Sequence, residues 1–192
     1  MTGRALGILA RPVGVVVGVL VVFFLLDDTF RRVEAGASTW ALHTLGVADE
    51  AVVFVPGSSI AVFPPTAGPF LATVTSSCSS LSSLLAVAFL GLFTPRRAPV
   101  RRIGALLAAC AVILVGNVAR IAASLGMGLA AGPASLVLFH DWVGSLFAFA
   151  YTVGGYLLML WILLPRNDES GSDGGVGPLQ AASSYRSGVG VV

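Results

Sequence analysis

The sequence predicts an all-α protein, a polytopic bundle of about four transmembrane helices. Three observations carry that expectation. Hydrophobic residues make up 56% of the 192-residue chain and charged residues only 10%, where a soluble domain carries roughly 25% charged residues. Four apolar segments are long enough to cross, or nearly cross, a bilayer. All eleven basic residues are arginine, and most of them gather at the ends of those segments. With arginines clustered at membrane edges, the net charge of +2 is no sign of a nucleic-acid partner, and none is expected.

The first segment covers about residues 5–26, interrupted by Arg11-Pro12. Its apolar core ends at Asp27-Asp28. The nearest Ala-x-Ala pattern, Ala35-Gly36-Ala37, lies too far downstream for a cleaved leader, so the segment reads as a retained span. Residues 27–72 follow. RRVEAGASTWALHTLGV has helical spacing of apolar residues and predicts a helix lying in the membrane interface. VVFVPGSSIAVF sets two β-type runs around Pro-Gly-Ser-Ser, which predicts a hairpin before the second span. PPTAGP then breaks regular structure. The remaining spans are expected at about 73–93, 103–129 and 142–164.

Arginine positions set the orientation. Arg4, Arg11, Arg96, Arg97, Arg101, Arg102, Arg166 and Arg186 put eight of eleven on one face, against Arg31 and Arg32 on the other, with Arg120 inside the third span. The positive-inside rule then makes both termini cytoplasmic and residues 27–72 external. Residues 1–164 form the integral membrane domain, and the Gly/Ser-rich stretch 165–192 reads as a disordered cytoplasmic tail.

On this topology three reactive side chains share one depth. Arg120, 17 residues beyond Ile103, stands about 26 Å up its helix, near the outer edge of a core about 30 Å thick. An arginine in an apolar helix needs a partner or a use, and Asn117 lies one turn below on nearly the same face. Cys78, in the serine run TVTSSCSSLSSLL, enters the second span from outside, and His140 precedes the fourth. A thiolate can attack an amide carbonyl, a histidine can take the thiol proton and return it to the leaving amine, and an arginine can stabilise the oxyanion. Ser76, Ser77, Ser79 and Ser80 keep the site small and polar, although small residues also serve plain helix packing. Asp141 could orient His140, but adjacent helical residues diverge by roughly 100°. His43 reads as a surface or packing histidine and Cys110 as a small buried thiol. No Cys-x-x-Cys or His-Glu-x-x-His spacing is present, so no metal or cofactor is expected.

Cysteine in a small-residue run, then Asn-x-x-Arg in the next span, then histidine at the start of the last, resembles the exosortase/archaeosortase family over about residues 50–160. The resemblance implies a multi-pass membrane cysteine transpeptidase or protease, here a short member. Its substrates would be secreted proteins ending in a short motif, a transmembrane helix and a basic tail. It also implies that Cys78 is the nucleophile, Arg120 the motif arginine and His140 the family histidine. Where that family shows Cys-Ser-Gly, this chain has Cys78-Ser79-Ser80. Two rivals stand beside this reading. One is a non-catalytic membrane subunit or scaffold that binds a partner helix or a lipid headgroup through Arg120. The other, thiol–disulfide exchange, is weak because Cys110 sits only about 11 Å above the inner edge, too far along the normal from Cys78 for a disulfide.

Overall fold

The computed structural model describes residues 2–93 and 99–164, with side chains over 13–91 and 99–164. The expected tail at 165–192, together with Arg96 and Arg97, lies outside the described residues. The chain is mostly helical, with α1 (Thr2–Thr44), α2 (Leu81–Phe93), α3 (Pro99–Ala131), α4 (Pro133–Leu138) and α5 (Gly144–Leu163). Strands β1 (Val52–Val55), β2 (Ser59–Val62) and β3 (Phe70–Thr73) sit between α1 and α2. Three stretches are long and apolar enough to cross a membrane, namely Val13–Thr44, Pro99–Ala131 and Pro133–Leu163. Leu81–Gly91 is a shorter apolar helix. The second predicted span is therefore cut short at its N-terminal end, where residues 73–80 close a strand and form a turn.

The first span and the expected interfacial helix are a single helix. No proline interrupts residues 13–44, and the charged stretch stays helical through pairs one turn apart. Arg31 Nε lies 3.0 Å from Asp27 Oδ2, and Arg32 pairs with Asp28. The helix ends where Gly46 adopts φ +92°. Gly46 N–H donates to His43 O and Val47 N–H to Leu42 O, the glycine-centred helix stop that only a left-handed residue allows. The part of α1 beyond Asp27 packs into the protein. Ala35 and Leu42 are buried in a cluster with the sheet and α3.

The predicted hairpin is present as antiparallel β1 and β2, with Val55 opposite Ser59 and Gly57 at φ +103° in the connection. PPTAGP breaks regular structure as expected, but a third strand follows it. β3 pairs antiparallel with β2, Phe70 opposite Val62 and Thr73 opposite Ser59. Val52, Ile60, Val62 and Val74 pack from the sheet onto Ile121, Ala122 and Leu125 of α3. A second core, with Ala105, Ala109, Ile113, Tyr151 and Met159, joins α3 to α5. Close approach there depends on missing side chains. A Cβ on Gly116 would stand 2.7 Å from the Tyr151 ring, and one on Gly155 would stand 3.1 Å from Ala109 O. Between α4 and α5, residues Phe139–Val143 form one wider π-helical turn. Such single-turn insertions reset the phase of the side chains that follow and recur at functional sites.

Candidate active site

The serine run is a turn and a cap before it is anything else. Cys78 N–H and Ser79 N–H both donate to Thr75 O, at 2.9 and 3.2 Å. Ser79 Oγ accepts from Leu81 N–H at 3.3 Å, and Ser80 O accepts from Leu84 N–H, so α2 starts at Leu81. Serine side chains compete with the backbone in this way and favour helix starts over helix interiors. The turn is tied to α1 by two acidic residues that sequence reasoning assigned to an exterior segment. Ser80 donates both its N–H (2.9 Å) and its hydroxyl to Glu34 Oε1, and Ser76 Oγ donates to Asp27 Oδ2 at 2.7 Å. Glu34 is only 1% exposed. Their seven-residue spacing, about two turns, places them on one helical face, which was a signal available in the sequence.

His140 enters from the π-helical turn. Its Nε2 lies 3.0 Å from Cys78 Sγ and 3.1 Å from Arg120 Nη2. Its Nδ1 lies 3.5 Å from Ser124 Oγ, whose hydroxyl is already donated to Arg120 O at 2.9 Å. Ser124 can therefore accept Nδ1–H, which leaves the Nε2 lone pair facing the thiol and the guanidinium. Asp141 does not take this role. Its side chain is exposed, and its carbonyl accepts from Ser145 Oγ at 2.6 Å.

Asn117 holds the floor of the site. Its Nδ2 donates to Cys78 O at 3.0 Å, while its Oδ1 accepts from Tyr151 OH at 2.9 Å and from Arg120 Nη1 at 3.5 Å. The expected Asn117–Arg120 pairing is present, and Asn117 also fixes the backbone of the cysteine. Arg120 is 7% exposed, turned into the bundle. Its Nε lies 2.8 Å from where a Cβ on Gly144 would stand. Gly144→Ala should therefore displace the guanidinium and lower any activity of the site by about tenfold or more, with the protein still folded. Thermal unfolding and activity measured side by side check this; full activity in Gly144→Ala would refute it.

Cys78 lies in the turn outside the candidate spans. Burial pushes its thiol up. Hydrogen bonds from His140 and Thr75 and the charge of His140 more than offset that, holding the thiol at about 6. At neutral pH such a thiol is largely thiolate, the reactive form. The site opens into a cavity of about 330 Å³ that reaches Ile60, β3, Ile121, Leu136 and His140. The other two candidates lie elsewhere. His43 Nε2 bonds Val52 O at 2.8 Å and Nδ1 faces Asp49, so it braces β1. Cys110 packs against the α3–α5 core. Among the described residues no three His, Cys, Asp or Glu side chains converge as a metal site needs.

The long apolar helices and the thiol–imidazole–guanidinium cluster between α2, α3 and the π-helical turn define a multi-pass membrane protein with a cysteine-centred site. The transmembrane exosortase family model matches residues 1–161, and the chain belongs to that family. No curated protein and no solved structure matches it. In Cys78-Ser79-Ser80, the departure from the family's usual glycine, the Ser80 hydroxyl is turned to Glu34 rather than into the cavity.

Proposed function

We propose that this exosortase is a membrane-embedded cysteine transpeptidase or protease that cleaves C-terminal sorting signals of exported proteins at the outer face of the cytoplasmic membrane. The observation that carries this reading is the placing of one imidazole nitrogen, Nε2 of His140, 3.0 Å from the Cys78 sulfur and 3.1 Å from Arg120 Nη2. Nε2 takes the thiol proton, and the thiolate attacks the scissile carbonyl carbon. Once protonated, Nε2 is a donor and no longer accepts from Arg120, which frees Nη2 to donate to the oxyanion beside the sulfur. As the carbon–nitrogen bond breaks, His140 returns the proton to the departing amine and a thioester remains on Cys78. Water then gives hydrolysis, or the nucleophile of an acceptor gives transfer, with His140 taking its proton. Asn117 and Ser124 are positioning residues for Cys78 and His140.

The arginine bias supports both termini in the cytoplasm and the site on the outer face. A substrate with a motif, a transmembrane helix and a basic tail would lie alongside in the lipid, its scissile bond just outside its own helix. The scaffold reading, which needs Arg120 free to grip a partner, fits less well, because the guanidinium is buried and engaged by Asn117 and His140.

The decisive experiment co-expresses the chain with a secreted protein carrying such a C-terminal signal and looks for an adduct. A covalent complex at Cys78 that hydroxylamine releases is expected, because hydroxylamine cleaves thioesters. Signal processing with no thioester at Cys78 would remove the covalent mechanism.

A further inference from the structure

We infer that the outer edge of β3 is a backbone-pairing track for substrate, on which an extended peptide adds as a fourth strand and delivers its scissile carbonyl to Cys78. This deepens the proposed function and rests on it. The sheet order is β1-β2-β3, so β3 has one edge without a described strand. Val74 N–H bonds Ser58 O at 2.8 Å, which makes Ser58 and Val74 a hydrogen-bonded pair in the register that sets Ser59 opposite Thr73. Antiparallel pairing alternates, so Ala72 and Phe70 also turn their backbone groups to β2. Leu71 and Thr73 must then point their N–H and C=O groups away from β2, at the open edge.

That edge borders the catalytic cavity. Residues sharing the buried sheet face (Ile60, Phe70, Ala72) and residues on the opposite face (Leu71, Thr73) all line it, so the space wraps around the edge of β3 rather than lying on one face. Cys78 and His140 line the same cavity. Strand addition of this kind takes its affinity from main-chain bonds and its selectivity from alternate side chains. Here the wall across from β3 is Ile121, Leu125, Leu136 and Val137. Small or apolar side chains are therefore favoured at the alternate positions that face this wall, while Ser124 and His140 line the same cavity as polar groups. On the topology proposed above, substrate and β3 both run from the exterior toward the membrane, so the added strand is parallel to β3.

The test uses the full chain in lipid nanodiscs and two probes with the same electrophile, chloroacetone and acetyl-Ala-Ala-Val-Ala chloromethyl ketone. Labelling of Cys78 is followed by mass spectrometry. The peptidyl probe should label the unmodified protein at least about tenfold faster than chloroacetone. Leu71→Pro removes an outward N–H and leaves the bonds to β2 in place, and it should abolish most of that advantage. Chloroacetone labelling of the same variant reads whether the thiol–imidazole pair is intact. N-methylation scanned along the probe tests the same bonds in the unmodified protein, and the loss should alternate with position. Undiminished peptidyl labelling of Leu71→Pro, or an N-methyl scan without alternation, would overturn the strand-addition proposal and leave the thiol peptidase standing. If neither probe labels Cys78 faster than a free thiol at pH 7, the reading beneath it fails instead.

Discussion

Arg120→Lys should cost roughly 10²–10³ in the rate of signal processing, the scale seen when one oxyanion donor is removed, while the protein still folds. Arginine serves this position through shape. Nη1 reaches Asn117 Oδ1 and Nη2 reaches His140 Nε2 from one rigid plane, and the absent side chain of Gly144 leaves room for Nε. Lysine offers a single ammonium on a flexible stem. It can engage one of those partners but not hold both while turning a donor toward a new charge. The folded state tolerates the change because a positive charge remains near the same acceptors. Processing kinetics on a reporter carrying the sorting signal should show the loss mainly in kcat, since the missing contact is formed as charge develops in the transition state. A lysine variant within about threefold of wild type would mean that Arg120 supplies only charge, and the two-donor argument would fall.

How much of this was legible in the sequence depends on what fixes each feature. Helix rise is constant, so counting residues from Ile103 placed Arg120 along its span, and the order of the spans set Cys78 and His140 at the same end of the bundle, where the three side chains meet. Asn117 was legible for the same reason, by its position one turn from Arg120. Rotation about the helix axis was not legible. The π-helical turn at Phe139–Val143 sets which way His140 and Asp141 point, and nothing in FHDWV announces a wider turn. Hence Ser124, distant in sequence, was not foreseen as the partner of the ring, whereas the divergence of the adjacent Asp141 was. Glu34 and Asp27 were hidden because charged residues after an apolar run read as exterior surface. Only the uninterrupted course of α1 sets them against the serine turn. β3 was missed because Phe70–Thr73 is four residues long and merges into the apolar segment that follows. The short α2 has the same origin, since the serines that looked like the start of a span are used as a turn and cap.

Cys78→Ser should remove processing by several orders of magnitude and leave the fold unchanged. The substitution exchanges sulfur for oxygen in a nearly equal volume, and Thr75 and His140 remain within reach as partners. What it removes is ionisation. A free thiol has a pKa near 8.5, and in this site burial raises it while His140 and Thr75 bring it down to about 6. The sign of the pH dependence follows. Below about pH 6 the sulfur is protonated and unreactive, above it the thiolate dominates, and iodoacetamide labelling should be half-maximal near that value. His140→Ala takes away both the hydrogen bond and the charge while burial and the Thr75 bonds stay, so the midpoint must move up and labelling at neutral pH must fall. The same variant loses the proton donor for the leaving amine. Processing should therefore drop by roughly 10²–10⁴ even where the thiolate is restored at high pH. Labelling with its midpoint near 8.5 in the unmodified protein and unmoved by His140→Ala would contradict the thiol–imidazole pair. Processing by Cys78→Ser at the wild-type rate would remove the nucleophile itself and leave Arg120 as the anchor of a membrane scaffold.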